Sequence, residues 1–296
     1  MNPQSQESVA LLGIGTMGHG MADSALRAGI PTIVWDLNPE HSRALAEAGA
    51  QVADTAADAA VSAGIVVTMV PDTDAVMSVA TDQGLLHALG RDAIWAQMST
   101  IGVAGTDRVA ALVESQRPDV TLLDAPVSGS KDPAEHGQLT IFASGPDHAR
   151  SRVAPVFDAL GQRTVWVGPL GAGSRMKLVN NTLLAFKAEG LAASVAIAHQ
   201  LGLDTKTVID ALGDGPLLSP WDTPKLQRIA NGDYSAQFAL ALALKDVHLA
   251  LETVDPTRFE SFASLAHEWE RAVDEGLGGE DLTVVTRVLE DGARTG

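Results

Sequence analysis

Short apolar runs alternate with amphipathic stretches over the first half of the chain. The runs have the length and the Val, Ile and Leu content of buried strands, and they cover residues 9–12, 32–35, 65–70, 93–97, 121–123, 139–143 and 164–167. Helical patterns lie between them. Because such alternation is typical of a mostly parallel sheet covered by helices on both faces, we predict an α/β domain over residues 1–168.

After residue 168 the pattern is helical throughout. The stretch 174–201 is rich in Ala, Leu and Val, contains no proline and predicts one long helix. Further helical patterns cover 205–212, 240–252, 259–275 and 280–289. We therefore predict an all-helical domain over residues 169–296, joined to the first domain by the long interdomain helix.

A glycine-rich segment connects the first strand to the first helix, with the sequence Gly13-Ile14-Gly15-Thr16-Met17-Gly18. In a dinucleotide-binding turn the first glycine permits the tight turn, the second lets backbone N–H groups approach a pyrophosphate, and the third lets the helix pack on the sheet. The strand before, the apolar helix after and an acid about 20 residues further on fit this turn better than an ordinary glycine-rich turn. We predict a Rossmann-type domain that binds a dinucleotide through these residues.

The acid is Asp36, at the end of the second predicted strand. A carboxylate at this place accepts hydrogen bonds from a ribose 2′-OH and repels a 2′-phosphate, which favours NAD. Asn38 and Arg43 are close enough in sequence to soften that preference, so NADP is the second candidate.

Composition narrows the classes of partner. The chain has 296 residues, 46% of them hydrophobic, which is enough for two cores, and its formal net charge is -17. Such a charge repels phosphate backbones and anionic lipids, so we expect no nucleic acid and no membrane as partners.

Cysteine is absent, which excludes disulfides and thiolate sites, and the histidines lack metal-binding spacing, so we expect no metal. Residues 1–8 lack the apolar core of a secretion signal, and no apolar run approaches the ~20 residues of a membrane helix. We expect a soluble, cytoplasmic protein.

Three polar residues, Lys177, Asn180 and Asn181, share one face of the long predicted helix, among apolar neighbours. Unpaired burial of an ammonium or amide group is costly, so these groups need partners or a ligand. One interpretation is a lysine that reaches solvent beside asparagines that bridge helices. The other is a ligand site, which the position just after the interdomain glycines favours, since the helix would there face the nicotinamide end of a cleft.

Two further segments carry candidate chemistry. Lys245-Asp246 follows an apolar run, and Lys245 is either a surface lysine or, if it shares a cleft with Lys177, a charge that favours the neutral amine of Lys177. The turn Ser128-Gly129-Ser130 is either a plain strand-to-loop turn or a group of N–H and hydroxyl donors for a carboxylate. No histidine has a recognisable partner spacing to Ser128, so a serine hydrolase is disfavoured.

Together these segments resemble the β-hydroxyacid dehydrogenase family, which includes 3-hydroxyisobutyrate dehydrogenase, tartronate semialdehyde reductase and the glyoxylate or succinic semialdehyde reductases. The resemblance covers nearly the whole chain. It rests on Gly13-Ile14-Gly15-Thr16-Met17-Gly18, Asp124-Ala125-Pro126-Val127-Ser128-Gly129, Gly173-Ser174-Arg175-Met176-Lys177-Leu178-Val179-Asn180-Asn181 and Lys245-Asp246, in this order.

The resemblance implies that Lys177 gives a proton to the substrate carbonyl oxygen and that Asn181 orients the substrate and Lys177. Ser128 and Gly129 would hold the substrate carboxylate, with Ser130, Asn180 and Asp246 as further substrate-binding candidates. The cofactor site would include residues 13–18 and Asp36, together with Val70, Pro71, Ala75, Thr100 and Lys245. A homodimer or homotetramer, formed through the helical domain, and a small carboxylate substrate are also implied.

Two departures keep the substrate open. Ser130 stands where hydroxyisobutyrate-type members usually have Gly, and the segment 130–135 looks more like the glyoxylate and succinic semialdehyde reductases. That branch tends to carry an Asn-Arg pair and prefer NADPH where this chain has Asp36-Leu37. We predict an NAD(P)-dependent oxidoreductase that interconverts a β-hydroxyacid, or a short ω-hydroxyacid, and its semialdehyde or keto acid. The alternatives are an imine reductase of the same architecture, which usually has Asp or Tyr at the lysine position, and a non-catalytic cofactor-binding relative.

Overall fold

The computed structural model describes residues 7–213 and 215–292 and divides into two compact units, Met1–Lys177 and Leu178–Gly296. Residues 1–6, on which part of the expectation about targeting depends, lie outside the described residues. The division falls in the first turns of the long helix. A functional domain boundary after residue 168 stays a prediction.

A nine-stranded sheet occupies the described part of the first unit. Its strands are β1 (Val9–Leu12), β2 (Thr32–Trp35), β3 (Gln51–Val52), β4 (Ile65–Thr68), β5 (Ile94–Gln97), β6 (Thr121–Asp124), β7 (Val127–Ser128), β8 (Leu139–Ser144) and β9 (Gly161–Gly168). Their order is β3-β2-β1-β4-β5-β6-β8-β7, with β9 paired to β8. The strands from β3 to β6 are parallel, whereas β8 is antiparallel to β6 and β7. The mostly parallel sheet is therefore confirmed.

Helices cover both faces of this sheet. They are α1 (Thr16–Arg27), α2 (Arg43–Glu47), α3 (Ala56–Val61), α4 (Thr73–Ala80), α5 (Leu85–Ala88), α6 (Gly102–Gln116), α7 (Lys131–Glu135) and α8 (Arg150–Leu160), with 3₁₀ turns at Pro39–Ser42 and Asp147–Ala149. Side chains of β1 alternate between two cores, since Val9 and Leu11 belong to one and Ala10 and Leu12 to the other. This is the doubly wound arrangement that the alternating pattern predicts.

The long helix α9 (Ala172–Gln200) begins in the first unit and continues in the second. The second unit also contains α10 (Thr205–Leu212), α11 (Asp222–Ala230), α12 (Leu240–Leu251), α13 (Glu260–Asp274) and α14 (Val285–Gly292), with 3₁₀ turns at Pro256–Arg258, Leu277–Gly279 and Leu282–Val284. It is mostly helical, as predicted, with an isolated bridge between Ala239 and Asp281. No helix in the described ranges is both long and apolar enough to span a bilayer.

Candidate active site

The glycine turn lies at the carboxyl ends of β1 and β4, where the strand order reverses and where ligands bind in such sheets. Gly13 has a φ of +95°, and a Cβ on it would lie 2.4 Å from the Met69 carbonyl oxygen. A Cβ on Gly18 would lie 1.9 Å from the Gly13 carbonyl oxygen. A Cβ on Gly15, in contrast, would meet no atom within 4 Å. Packing thus requires the outer two glycines, while the middle one is open to a ligand.

Helix α1 starts at this open position. Its N-cap residue is Gly15, no side chain caps it, and its first turn contains no acidic residue. The first N–H groups of a helix lack intrahelical partners, and together with the helix dipole they bind phosphate groups. The turn therefore has the shape and the donors that a dinucleotide pyrophosphate needs, so the residues present fit an NAD-type cofactor.

Asp36 is hydrogen-bonded to the glycine turn. Its Oδ2 accepts a hydrogen bond from the Ile14 N–H at 2.6 Å, and its Oδ1 accepts one from the Asn38 N–H at 2.8 Å. The ring Nδ1 of His41, which sequence reasoning did not single out, lies 3.0 Å from the same Oδ1. Arg43 pairs with Glu40. The carboxylate is thus oriented beside the predicted adenosine ribose position.

The predicted cofactor site also includes Val70, Pro71, Ala75 and Thr100, which follow the carboxyl ends of β4 and β5. The Val70 N–H donates to the Ser99 hydroxyl at 2.8 Å, and the Ala75 N–H donates to the Asp72 carboxylate that caps α4 at the same distance. These two N–H groups already have protein partners, so contact with a cofactor would involve other atoms of the two residues.

Two residues that were not predicted, Gln97 and Ser99, support this part of the candidate site. The Gln97 side chain bridges the backbone N–H and carbonyl of Ser99, at 2.6 and 2.9 Å. The sequence offered one signal for this contact, a glutamine at the end of a predicted strand, two residues before a serine.

The Ser128-Gly129-Ser130 turn links β7 to α7. Gly129 has a φ of +138°, and a Cβ on it would lie 2.6 Å from the Leu139 side chain, so the turn requires glycine here. The short helix after the turn packs closely on α1, since a Cβ on Gly20 would lie 2.7 Å from the Glu135 backbone nitrogen. The candidate carboxylate turn therefore leads into a helix that packs directly on α1 within the first unit.

Lys177 and Asn181 lie one turn apart on α9, and their side chains are 8% and 4% exposed. Lysine is rarely buried unless its amine has a partner or a function. An exposure of 8% does not fit a lysine extended into solvent. Two of the three polar residues that the sequence singles out, Lys177 and Asn181, are therefore buried, whereas Asn180 is half-buried.

A hydrogen-bonded chain extends from Asn181 within the second unit. The Asn181 amide donates to Asp246 Oδ2 at 2.5 Å, and the Lys245 amine lies 2.7 Å from Asp246 Oδ1. The Asn180 amide donates to the Asn181 side-chain oxygen at 2.8 Å. Asp246 is buried, and both of its carboxylate oxygens contact protein side chains, those of Asn181 and Lys245. A direct contact of this carboxylate with substrate stays a prediction. A cleft shared by Lys245 and Lys177 also stays a prediction.

Within the described ranges 7–213 and 215–292, the structure contains no cluster of side chains suited to bind a metal ion. No group of three or more His, Asp or Glu side chains there is arranged to hold an ion.

Two family models match the chain. One, described as the NAD binding domain of 6-phosphogluconate dehydrogenase, matches residues 8–168. The other, described as NAD-binding of NADP-dependent 3-hydroxyisobutyrate dehydrogenase, matches residues 171–289.

Individual relatives extend this similarity. The chain is 30% identical to 2-(hydroxymethyl)glutarate dehydrogenase of Eubacterium barkeri, over 95% of this chain and 94% of that protein. It is 29% identical to glyoxylate/succinic semialdehyde reductase 1 of Arabidopsis thaliana, over 95% and 98% of the two chains. A crystal structure of 3-hydroxyisobutyrate dehydrogenase from Salmonella typhimurium superimposes with a TM-score of 0.87 at 29% identity, covering 95% of this chain and 99% of that one.

These three relatives are dehydrogenases or reductases, and their names give different substrates, so they share a chemistry rather than one compound. The match to the family models extends over nearly all of the described sequence. This protein is an NAD(P)-dependent hydroxyacid oxidoreductase, and the chain belongs to the β-hydroxyacid dehydrogenase family.

Proposed function

We propose that the protein transfers hydride reversibly between a nicotinamide cofactor and a short β- or ω-hydroxyacid, with Lys177 as the proton donor and acceptor. The observation that carries this proposal is the burial of Lys177 one turn before Asn181, on a helix that begins in the dinucleotide-binding unit. A lysine that is buried at this place is not an ordinary solvent-facing surface charge.

The bound nicotinamide supplies or takes up the hydride at its C4 atom. Lys177 gives a proton to the carbonyl oxygen during reduction and removes it from the hydroxyl group during oxidation, a contribution of about 10²–10⁴ in rate for a well-placed group. Asn181 orients the reacting oxygen and the amine. Because the Asn181 side chain is itself held by Asp246, its amide has a defined orientation.

The substrate carboxylate binds at the Ser128-Gly129-Ser130 turn, with Asn180 as a further polar contact. Hydroxyl groups and backbone N–H groups in such a turn are suitable donors for an anion. Aldehydes or keto acids with a carboxylate, such as glyoxylate, succinic semialdehyde and methylmalonate semialdehyde, are the candidate substrates. Of these, methylmalonate semialdehyde would make the enzyme a 3-hydroxyisobutyrate dehydrogenase.

NAD is the preferred cofactor in this proposal. Asp36 places a negative charge next to the turn that receives the pyrophosphate, and a ribose 2′-phosphate would be repelled there. Arg43, the cation that could offset this charge, is paired with Glu40.

The proposed enzyme is an oligomer whose copies meet through helix α9. The α9 residues Val179, Leu183, Phe186 and Ile197 recur at helical spacing, and their exposed fractions lie between 40% and 65%. A row of exposed apolar side chains on a helix is typical of an interaction surface. We therefore assign this row, called the α9 apolar face below, to contact between copies of the chain in a homodimer or homotetramer.

The test is to measure NADH and NADPH oxidation by the wild type and by Lys177→Ala with the three aldehydes above and with a cyclic imine. We expect aldehyde turnover with NADH, and a fall in kcat of about 10²–10⁴ in the variant because the proton donor is gone. NADH affinity, measured by fluorescence, should stay unchanged.

Lys206→Ala is the matched control, since Lys206 is an exposed lysine of the second unit paired with Asp210. It should behave as wild type. Aldehyde turnover that survives the loss of Lys177, or turnover of the imine alone, would contradict the proposed function.

A further inference from the structure

A buried polar network connects the end of β6 to the start of α9. Asp124, the last residue of β6, is 1% exposed. Its Oδ2 accepts a hydrogen bond from the Ser174 N–H at 2.8 Å, and its Oδ1 accepts one from the Ser174 hydroxyl at 2.7 Å. One carboxylate therefore binds both polar groups of Ser174, although the two residues are 50 positions apart.

Neighbouring hydroxyl groups extend the network. The Gly173 N–H donates to the Ser144 hydroxyl at 2.9 Å, and that hydroxyl lies 3.1 Å from Asp124 Oδ2. On the other side the Ser174 hydroxyl lies 2.8 Å from the Thr106 hydroxyl of α6. The first turn of α9 is thus held by three other elements of its unit.

The backbone packs as closely as these bonds suggest. A Cβ on Gly173 would lie 2.4 Å from the Phe142 carbonyl oxygen and 2.6 Å from that of Asp124. The helix start consequently rests directly on the ends of β6 and β8 without an intervening side chain. Such a contact leaves little room for the helix to shift or rotate.

The N–H groups of Gly173 and Ser174 belong to the first turn of α9, where a helix provides no internal acceptor. Tertiary contacts supply the acceptors here in place of a local capping residue. Lys177 follows Ser174 by three residues, a rise of about 4.5 Å along the helix. A displacement of the first turn would therefore move Lys177 by a similar amount.

We propose that Asp124 is a positioning residue for Lys177: by binding the first turn of α9, its carboxylate sets where the helix starts and hence where the amine of Lys177 lies. This inference rests on the proposed role of Lys177. It assigns Asp124, the first residue of the segment that ends in the carboxylate-binding turn, a task separate from binding substrate.

The environment of Asp124 opposes its charge. Burial raises the pKa of the Asp124 carboxyl, and the hydrogen bonds from Ser174 and Ser144 and the charge of Arg175 only partly oppose this. The folded protein thus disfavours the ionised group that the network uses. Carboxyl groups with a perturbed pKa are enriched at functional sites, which agrees with the geometric argument.

Asp124→Asn is the sharpest substitution. An asparagine keeps one oxygen for the Ser174 N–H and offers its amide to the Ser174 hydroxyl. That hydroxyl can then donate to Thr106, whose own hydroxyl donates to the Gly102 carbonyl. The side-chain volume remains, while the charge that strengthens the bonds to the first turn of α9 and the original direction of these bonds are lost.

The experiment compares kcat, the pH profile of kcat and the isotope effect of NADH deuterated at C4 in the wild type, Asp124→Asn, Ser174→Ala and Lys177→Ala. We expect kcat to fall at least tenfold in the first two variants, with an altered pH profile and an isotope effect at least as large as in the wild type. The dissociation constant of NADH should change less than twofold, and the Tm of Asp124→Asn should not fall by more than a few degrees. Thr32→Val removes another buried hydroxyl of the same unit, one that donates to the Ile30 carbonyl, and should keep the wild-type kcat.

The positioning role is overturned if Asp124→Asn and Ser174→Ala keep kcat within twofold while Lys177→Ala is inactive. It is also overturned if the loss of kcat follows the folded fraction, with the pH profile and isotope effect unchanged. Persistent turnover by Lys177→Ala would instead refute the proposed function, which separates the two failures.

Discussion

Asp36 shows how far the environment of a single residue can be understood from its place in the chain. Its position after a short apolar run predicts a group beside the cofactor ribose, and the structure brings it to the glycine turn through Ile14. Its contact with His41 was not predictable, because it depends on the 3₁₀ turn Pro39–Ser42 that follows.

Asp36→Ala tests the preference for NAD. Removing the charge should lower the ratio of kcat/KM for NADH over that for NADPH by about tenfold or more, since a 2′-phosphate would no longer be repelled. Steady-state kinetics with both cofactors measure the ratio.

Glu47→Gln removes an exposed acid of α2, in the same part of the first unit. If this control shifts the ratio as much as Asp36→Ala, general surface charge rather than Asp36 sets the preference.

At the scale of elements, agreement between sequence and structure follows the strength of the local pattern. The apolar runs of β1, β2 and β4 are buried along their whole length, and their positions were predicted from that continuity. β3 and β7 were missed because two residues carry no periodicity. α11 was missed because prolines precede it and another lies inside it, and because contacts such as the buried ion pair of Lys225 with Asp281 join positions 56 residues apart.

In the candidate site, too, features within one helix could be predicted, whereas contacts between distant parts of the chain could not. The shared face of Lys177 and Asn181 is a property of one helix and could be predicted from spacing. The bonds of Asp124 to Ser174 and of Asn181 to Asp246 join distant parts of the chain, so no local pattern contains them.

The α9 apolar face is expected to hold copies of the chain together, and a single charge can test this. Leu183→Glu places a charge in the middle of the face, so we expect the oligomer to dissociate toward a single chain in sedimentation velocity. Val61→Glu is the control, because Val61 is an equally exposed apolar residue of α3. A single-chain mass for the wild type would contradict the assignment of this face.

Stability of the whole molecule should depend on pH through a pair of acids in the second unit. Burial, together with a hydrogen bond to Glu268, raises the pKa of Glu189 from 4.5 to about 7, and the Trp269 ring N–H that donates to it opposes this only in part. A folded pKa above the unfolded value favours the protonated form. The contribution to stability is therefore complete below about pH 4.5 and is lost as the pH rises through about 7.

We expect the Tm to fall by a few degrees between about pH 6 and pH 8, equivalent to on the order of 1 kcal/mol. Glu189→Gln, which cannot ionise, should flatten this part of the profile in calorimetry, whereas Glu260→Gln, at an exposed position of α13, should leave it unchanged. An unaltered slope in Glu189→Gln would show that other groups set the pH dependence.

The alternation of β1 between two cores has a consequence for how the chain can change over time. β1 has four residues and leads directly into Gly13, and its odd and even positions belong to different cores. Inserting or deleting one residue would turn every side chain to the opposite face and move the glycine turn with it. We therefore expect strand and turn to tolerate the exchange of residues far better than the insertion or deletion of a single residue.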